Sequence, residues 1–535
     1  DNASGSSPKA SRIHSSTSGL TSSMPFPAGR HTRTKRHEVE MGLAVRRYMG
    51  SGFLSVEIGW TEVLLFIITW YLLLRYWEKS GKLDEWNASR IFFGMVLMVR
   101  TKKGKSALEK VSKPRKFWRI YGEVSLWVCW GAMLIVAVGI ILAIVSAILM
   151  GNQAEARPVS ELVAIPGLSP IIPLGWGIIA FVFCLVIHEY GHGIQARAHG
   201  MRVRNFGLLM AGPLPLGAFA EPEYTEIANS PRRERQRMFA AGPATNIFAA
   251  FILMIILGQV AGQFNPANPG VHSSQIIAES GADEAGLEAW DVITSINGTS
   301  IEDTEDFTNV MEGLSSNQTV TMEVVRYSSG QRETLNVNLT DKYEHYLDLG
   351  YSEELVDSMD IEKGDAFLGV ENLAGGTAGV DRLAGWAHPD FETSALGYVI
   401  TVPINTLQIL VTPFEYKGIA IHPAQEEMLA SGDGWLASTI GLSGLLFLVN
   451  LLFWLIWVNI LLGFTNLFPM IPFDGGHLFK DIVHGTMSGI RNVGKKTGLY
   501  NLHPLWVEHV TRKASSVSSL LLLIFMIFLI GAPYL

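Results

Sequence analysis

The sequence predicts a polytopic α-helical membrane protein with about six spans, a re-entrant or interfacial segment and an inserted soluble α+β domain. Two observations lead to this fold class. The 535 residues are 48% hydrophobic and only 17% charged, with a positive mean hydropathy, which is too apolar for one soluble domain. The acidic residues are concentrated in one long block, so a single water-soluble domain interrupts the apolar stretches.

Most of the apolar stretches approach the roughly 20 residues that a transmembrane helix needs. They are Val63–Tyr76, Val124–Met150, Ile171–Ile187, Phe239–Val260, Leu442–Phe468 and Ser515–Leu535. Both cysteines, Cys129 and Cys184, lie within these stretches. We therefore interpret them as small buried apolar residues rather than as a disulfide framework.

The charges divide the chain into an acidic block and a basic remainder. Phe264–Glu392 contains 25 Asp and Glu against 5 Lys and Arg, so the formal charge of this block is −20. Since the whole chain has a formal net charge of −8, the remainder carries about +12. Lys and Arg accumulate near the ends of apolar stretches, as in Glu78–Glu123, and such an excess marks the cytoplasmic side. We expect an integral protein of the plasma membrane with the acidic block outside, and no nucleic-acid partner.

The acidic block has the pattern of a small α+β domain. Its segment GLEAWDVITSINGTSI (Gly286–Ile301) combines a helix-ending glycine, a β-rich run and an Asn-Gly turn. The order of elements resembles a PDZ domain, in which Gly286, Leu287 and Asp291 match the usual pattern, although Trp290 stands where Gly is usual. PDZ domains bind a peptide as an added strand, so a peptide or substrate tail is the implied partner. The alternative is a generic acidic α+β insertion.

The most informative motif is HEYGH, which directly follows the seventeen uncharged residues of Ile171–Ile187. On a helix, His188 and His192 lie on one face and can bind one metal ion, while Glu189 lies beside it as a general base. Neutral imidazoles suit Zn²⁺, which lowers the pKa of bound water so that hydroxide is available for attack at neutral pH. The alternative is a chance HExxH, but such a motif is expected on a solvated helix rather than after an apolar run.

A catalytic zinc site needs a third protein ligand. The candidate is Asp474 in NLFPMIPFDGG, a lone carboxylate at the end of another apolar run. Two prolines break the helix near Asp474, and two glycines allow another backbone to approach. The alternative is a turn after the span in which Asp474 caps the next helix.

Together these motifs closely resemble the site-2 protease family of intramembrane zinc metalloproteases. HExxH, GPATN at Gly242–Asn246, the PDZ-like block and NxxPxxxxDGG occur in the family's order over roughly Leu162–Leu478. The resemblance implies that His188, His192 and Asp474 bind zinc and that Glu189 is the general base. It also implies that Asn466 holds the substrate strand or stabilises the oxyanion, and that Leu216–Ile227 is a loop that dips towards the active site.

The predicted boundaries follow from the spans, the charges and the motifs. They are a disordered Ser-rich and basic segment (1–48), a membrane region of two spans with a basic cytoplasmic loop (49–161), the first part of the protease core (162–263), the acidic extracytoplasmic PDZ-like region (264–392), the second part of the core (393–480), and a basic cytoplasmic loop with the last span (481–535).

The depth of the metal ligands predicts the position of the active site and a topological difficulty. His188 and Asp474 both come near the ends of spans that start outside, so the site should lie near the cytoplasmic side and the two spans should be parallel. With the acidic block outside, Leu396–Pro413 is then not a simple crossing, and we expect a re-entrant or interfacial segment. The basic cluster of the N-terminus opposes the orientation that this count requires.

The expected function is hydrolysis of peptide bonds within or near transmembrane helices of membrane-protein substrates in the lipid bilayer. One alternative is a membrane-anchored zincin that acts on soluble segments, with Glu221, Glu223 or Glu226 as its third ligand. The other is a non-catalytic membrane scaffold that uses only its PDZ-like domain.

Overall fold

The computed structural model describes residues 60–531, apart from 102–104, 151–165, 167–168, 170, 213, 390, 392 and 416–417. The predicted disordered segment 1–48 lies outside the described residues.

The N-terminal part consists of a long helix, short helices and a β-hairpin. Its elements are α1 (Trp60–Lys79), α2 (Lys82–Glu85), β1 (Ala88–Ile91), β2 (Val96–Thr101) and α3 (Lys105–Val111). The two strands pair antiparallel, with Ala88 opposite Val99. The side chain of Leu74 on α1 is buried in one cluster with Leu83 of α2 and Leu97 of β2. The sequence analysis did not predict this hairpin.

The next elements form the first half of the membrane core. They are α4 (Arg115–Met150), α5 (Leu174–Ala198), β3 (Val203–Ala211), β4 (Leu214–Pro222), α6 (Tyr224–Asn229) and α7 (Arg232–Ala261). The strands make one four-stranded antiparallel sheet in the order β1-β2-β3-β4. The segment predicted as a loop after HExxH is therefore mostly strand β4, which forms one edge of this sheet.

The acidic block folds as an α+β unit. Its elements are β5 (Phe264–Pro266), β6 (Val271–Ile276), α8 (Gly281–Glu284), β7 (Val292–Ile296), β8 (Thr299–Ser300), α9 (Thr304–Glu312), β9 (Thr319–Val325), β10 (Arg332–Asn338), β11 (Thr340–Asp341), α10 (Lys342–Asp348), α11 (Glu353–Ser358), β12 (Ala366–Phe367) and β13 (Val370–Gly375). A six-stranded sheet has the order β10-β9-β7-β6-β13, with β8 paired to β7. Ile293, Ile296 and Val337 are among the side chains of its own hydrophobic core.

The remaining elements return the chain to the membrane core. They are α12 (Ala378–Ala384), a 3₁₀ turn (Gly385–Ala387), α13 (Ala395–Gln408), α14 (Thr412–Glu415), α15 (Pro423–Glu427), β14 (Leu429–Ser431), α16 (Trp435–Thr465), α17 (Asp474–Thr497) and α18 (Pro504–Gly531). β14 pairs with β5, with Ala430 opposite Asn265. This pairing joins the entrance of the soluble unit to the segment that precedes α16.

Six of the described helices are long and apolar enough to cross a membrane, which supports a polytopic membrane protein. They are Arg115–Leu149, Leu174–Ala198, Arg232–Ala261, Ala395–Phe414, Trp435–Thr465 and Pro504–Gly531. This set differs from the predicted spans at two positions. The predicted span Val63–Tyr76 forms most of α1, but α1 is not among the six helices. The segment Leu396–Pro413, which was expected to be re-entrant, lies within one of them.

The membrane core is built around α16. Its side chains Phe453 and Trp454 are buried in one cluster with Cys184 of α5 and with Met254 and Leu257 of α7. Since lipid tails are as apolar as these side chains, close packing rather than water exclusion holds such helices together. The three helices that position the functional site are thus in direct contact.

The soluble unit contacts the rest of the chain through a residue with an unusual backbone. Trp290 has a φ of +73°, which few residues with a Cβ adopt. Its indole ring stacks on the imidazole of His422, with 4.6 Å between ring centroids and 13° between planes. The Trp that departs from the PDZ pattern therefore forms part of the contact between the soluble unit and the segment before α16.

Candidate metal centre

The two histidines of HExxH lie on one face of α5, one turn apart. Their Nε2 atoms are 3.1 Å from each other. His188 is buried and His192 is nearly so. The helix brings them together because residues i and i+4 are neighbours along a helix face.

Asp474 comes from the other half of the membrane core, where it begins α17. Its Oδ2 atom lies 3.2 Å from Nε2 of His188 and 3.2 Å from Nε2 of His192. The turn between α16 and α17 is closed by the Gly475 N–H, which donates to the Asn466 carbonyl at 2.7 Å. These are the three side chains that the sequence analysis proposed as ligands, and the structure brings them together.

The distances and the donor types fit a zinc ion. Zn–N and Zn–O bonds of about 2.1 Å in a tetrahedral site separate neighbouring ligand atoms by about 3.4 Å. The three observed separations of 3.1, 3.2 and 3.2 Å are close to this value. Two neutral imidazoles with one carboxylate are also a ligand set that zinc prefers when a fourth position stays open.

Gly242 of GPATN leaves room beside these ligands. A Cβ atom added at Gly242 would lie 2.3 Å from His192 Nε2 and 2.8 Å from His188 Nε2. Any side chain here would therefore occupy the space next to the two nitrogens that face the metal position. The glycine lets α7 approach the centre without filling it.

The other ring nitrogen of His192 fixes its tautomer. His192 Nδ1 lies 2.7 Å from the backbone carbonyl of Met238, which can only accept a hydrogen bond. Nδ1 therefore carries the proton, and Nε2 presents its lone pair to the metal position.

Asn246 makes the corresponding contact to His188. Its Nδ2 lies 3.3 Å from His188 Nδ1, and its Oδ1 is buried without a hydrogen-bond partner among the described residues. If His188 Nε2 faces a metal, Nδ1 must donate, but Nδ2 is a donor as well. Rotation of the Asn246 amide by half a turn places its Oδ1 opposite His188 Nδ1, so that the Nδ1–H donates to Oδ1. We assign this orientation.

Glu189 is half-buried next to its histidine neighbour. Its Oε2 accepts a hydrogen bond of 2.6 Å from the backbone N–H of Ala220 on β4. Strand β4 thus fixes the carboxylate that the sequence analysis proposed as the general base.

Asn466 ends α16 eight residues before Asp474. Its amide is half-buried, and no hydrogen bond joins it to His188, His192 or Asp474 among the described contacts. The proposed role of Asn466 in holding substrate stays a prediction, for which its amide is available.

The acidic residues that were alternative third ligands have other partners. The Glu223 carboxylate receives two hydrogen bonds from Arg204, at 2.5 and 2.6 Å. Glu226 receives hydrogen bonds from the Arg202 backbone and side chain, both at 2.6 Å. The side chain of Glu221 is not described. Asp474 is the carboxylate that joins the two histidines.

Sequence reasoning missed the roles of Gly242 and Asn246, although it noted their motif. The signal was the conjunction of a glycine and a lone Asn, four residues apart, at the start of an apolar helix. Such a pair predicts one helix face with a space and a hydrogen-bonding group one turn apart. What that face lies against is a tertiary fact.

Several known proteins are similar in sequence to part of this chain. An uncharacterized protein of Methanocaldococcus jannaschii is 28% identical over 240 residues, which cover 44% of this chain and 61% of that protein. A Clostridium acetobutylicum protein, provisionally named a zinc metalloprotease, is 24% identical over 326 residues, 56% of this chain and 84% of its own length. The zinc metalloprotease RasP of Oceanobacillus iheyensis is 25% identical over 265 residues, 48% of this chain and 53% of its own length.

This chain thus spans less than two thirds of the length of the archaeal protein and about half of RasP. A broader match comes from Peptidase family M50, which covers residues 176–503 and includes every residue of the candidate centre. That range is more than half of the chain. The chain therefore belongs to peptidase family M50, the zinc metalloproteases to which the site-2 proteases belong, and its resemblance to that family is confirmed.

Proposed function

We propose that this protein is an intramembrane zinc metalloprotease that hydrolyses peptide bonds within or near transmembrane helices of other membrane proteins. One observation carries the proposal: His188, His192 and the base Glu189 lie on a helix that is itself apolar enough to cross a membrane, and Asp474 follows the turn at the end of another such helix, α16. A protease that acts only on soluble segments has no need to place these groups there.

The residues of the centre have distinct tasks. His188, His192 and Asp474 would hold zinc, which when bound supplies a Lewis acid that polarises a carbonyl and lowers the pKa of water towards about 7. Glu189 accepts the proton of the water that attacks the scissile carbonyl carbon, and then donates it to the departing amine. Asn466 is proposed to hold the substrate strand or to donate to the developing oxyanion.

The substrate must be unwound before it can react. The carbonyls of a transmembrane helix accept backbone hydrogen bonds from four residues further on, so they are shielded from attack. Strand β4 is an edge of its sheet, and its Ala220 N–H contacts Glu189. An unwound substrate segment therefore finds an edge strand beside the base, and pairing with such an edge is a common way to bind an extended peptide.

The orientation of the protein in the membrane is inferred from the charges of its helix ends and from the depth of its metal ligands. We infer that the protein lies in the plasma membrane, with the metal centre nearer the cytoplasm and the acidic unit outside. The Arg residues that begin α7 and the Lys residues that end α17 support this orientation, because basic residues are retained on the cytoplasmic side. The acidic unit is proposed to be PDZ-like and to bind a peptide or a substrate tail along a sheet edge.

The proposal is tested by separating zinc binding from hydrolysis in the purified full chain. Asp474→Ala removes one of three protein ligands, so zinc content measured by mass spectrometry and cleavage of a single-span substrate should both fall to background. Glu189→Gln keeps the size and removes the base, so zinc should remain while the rate falls about a hundredfold or more.

The matched control is Glu333→Gln, the same substitution at an exposed glutamate that pairs with Arg326 in the soluble unit. It should keep both zinc and activity. Full zinc occupancy in Asp474→Ala would contradict the ligand assignment, and undiminished cleavage by Glu189→Gln would contradict the assigned base.

A further inference from the structure

A cavity lies away from the metal centre, between α4, α7 and α17. Its volume is about 520 Å³, and the residues that line it include Trp130, Arg232, Arg233, Gln236 and Thr486. The helix α7 begins here, at Arg232, and continues into its apolar part. The cavity is therefore at the level where the helices pass from polar to apolar surroundings.

Two hydrogen-bonding side chains of this cavity have no partner among the described residues. Gln236 is only 5% exposed, yet no hydrogen bond joins its amide to another described residue. The indole Nε1 of Trp130 is buried and also without a partner in the described part of the chain. Buried polar groups are normally satisfied, so two such groups in one cavity indicate a missing hydrogen-bonding ligand. An indole N–H can only donate, so the ligand must accept.

The charges of the cavity favour an anion. Arg232 forms no ion pair within the described ranges, and its guanidinium lies over Gly485 of α17, where an added Cβ would be 2.9 Å from Nη1. The one carboxylate in the lining, Asp481, already receives two hydrogen bonds from Arg235, at 2.9 and 2.5 Å. The positive end of α7 faces the same region. The uncompensated charge is therefore positive.

The surroundings favour a lipid headgroup over a dissolved ion. Trp127 is 60% exposed on α4, and its ring packs against that of Trp130 at 5.0 Å between centroids. Tryptophan is enriched where helices meet the headgroup layer of a membrane. Arg233 lies over both indoles, at 5.9 and 5.2 Å, and is held there by ion pairing with Glu123. The cavity thus opens beside an aromatic surface suited to the membrane boundary.

We propose that this cavity is a phosphoryl-binding site whose occupant is the headgroup of an anionic phospholipid. The phosphoryl oxygens accept from the Arg232 guanidinium, the Gln236 amide and the Trp130 indole. This site is independent of the proposed hydrolysis, because none of its residues contacts the metal set.

The test measures lipid retention by the purified full chain, using native mass spectrometry after equilibration with phosphatidylglycerol or phosphatidylcholine of identical acyl chains. The wild type should retain phosphatidylglycerol in preference. Arg232→Gln should weaken that retention by about fivefold, as expected for one Arg at a membrane surface. Trp130→Phe keeps an aromatic side chain without the N–H donor, and should weaken the retention of phosphatidylglycerol by a similar factor.

Each variant has a matched control. Arg512→Gln removes the same charge from an exposed position on α18, and Trp127→Phe makes the same substitution on the neighbouring exposed indole. Both controls should retain phosphatidylglycerol like the wild type. Equal retention of the two lipids by the wild type, or pocket variants that behave like their controls, would overturn the proposal.

Competition with inorganic phosphate tests whether the bound phosphoryl group belongs to a lipid or to a dissolved anion. Millimolar phosphate should displace phosphatidylglycerol from the wild type, since both present the same oxygens to the same donors. If phosphatidylglycerol does not displace inorganic phosphate from the delipidated protein, a dissolved anion rather than a lipid is the occupant, and the proposed occupant is wrong.

Discussion

Each imidazole of the metal centre is oriented by the group on its other ring nitrogen. The Met238 carbonyl does this for His192 and Asn246 does it for His188. Such partners fix the tautomer and raise the basicity of the metal-facing nitrogen. The two cases differ, because a backbone carbonyl cannot be removed by substitution whereas the Asn246 amide can.

Substitution of Asn246 tests this difference. Asn246→Ala should lower zinc affinity by about 10- to 100-fold, the usual effect of losing such a partner. The measurement is competition with a zinc chelator, which does not depend on activity. Asn246→Asp retains an acceptor for the His188 N–H and should keep most of the affinity.

The control for Asn246 is Asn459→Ala. Asn459 is also fully buried, on α16, and its amide donates to the Leu455 carbonyl rather than to a metal ligand. Its loss should cost stability without changing zinc affinity. Equal zinc affinities in Asn246→Ala and the wild type would show that the contact with His188 has no influence on the metal.

At the residue scale, the identity of the proposed ligands was readable from sequence because chemistry restricts them. Few residue types bind zinc, and carboxylates and imidazoles are rare next to apolar runs. Gly242 was not assigned a role, since a glycine in a helix has many explanations. Only the short distances from an added Cβ to His188 and His192 show that the missing side chain leaves the metal position open.

At the scale of elements, the soluble unit and the membrane core meet through a small set of contacts. The Trp290 ring stacks on His422, which also caps α15 by accepting from Ala424 N at 3.2 Å. The His272 ring also lies beside Trp290, with 5.7 Å between ring centroids. Desolvation lowers the pKa of His272 to about 4, so this ring is neutral and adds no charge to the contact at physiological pH.

Trp290→Asn should loosen this contact and leave the soluble unit folded. Asn tolerates a positive φ, so the backbone keeps its conformation while the stacking ring is lost. Amide hydrogen exchange should become about tenfold faster in residues 423–431, which is the size of effect expected from the loss of one aromatic contact. Exchange in β9 and β10 should stay unchanged.

A matched control for Trp290 is Trp435→Asn, at a side chain that is 78% exposed at the start of α16. It should leave exchange in residues 423–431 unchanged. Faster exchange throughout β9 and β10 in Trp290→Asn would instead mean that Trp290 stabilises the soluble unit itself.

Elements were predicted best where their pattern was long and uniform. The helices α4, α5, α7, α16 and α18 contain the predicted apolar stretches, with differences at their ends. Strands β1 and β2 were missed because they are short and lie in a segment whose basic residues suggested only a loop. The pairing of β2 with β3 is a long-range contact, which local sequence does not reveal.

At the scale of the whole molecule, the depth of the metal centre determines where a substrate should be cut. His188 follows the start of α5 at Leu174 by about 21 Å of helix, which is more than half of a hydrocarbon layer of about 30 Å. On the proposed orientation, a single-span substrate is cut in the cytoplasmic half of its own helix.

A reporter with a movable Asn-Pro pair in its transmembrane helix tests this depth. Cleavage should be fastest when the pair lies in the cytoplasmic half, because the pair removes helical hydrogen bonds that must otherwise be broken, and a Leu run at the same position should slow the reaction. Mass spectrometry of the products locates the cut. Cuts confined to a soluble segment and indifferent to the pair would favour a protease that acts at the membrane surface.

The sequence by itself determined the class of the protein and the chemistry of its centre. Apolar length, charge segregation and the spacing of HExxH are local properties, and local properties are sufficient to predict spans, a soluble insertion and a pair of histidines on one helix face. Tertiary structure decided the rest. The approach of Asp474 to His188 and His192, the space left by Gly242, and the cavity beside Arg232 each depend on how helices pack. Packing joins residues that are tens to hundreds of positions apart in the chain.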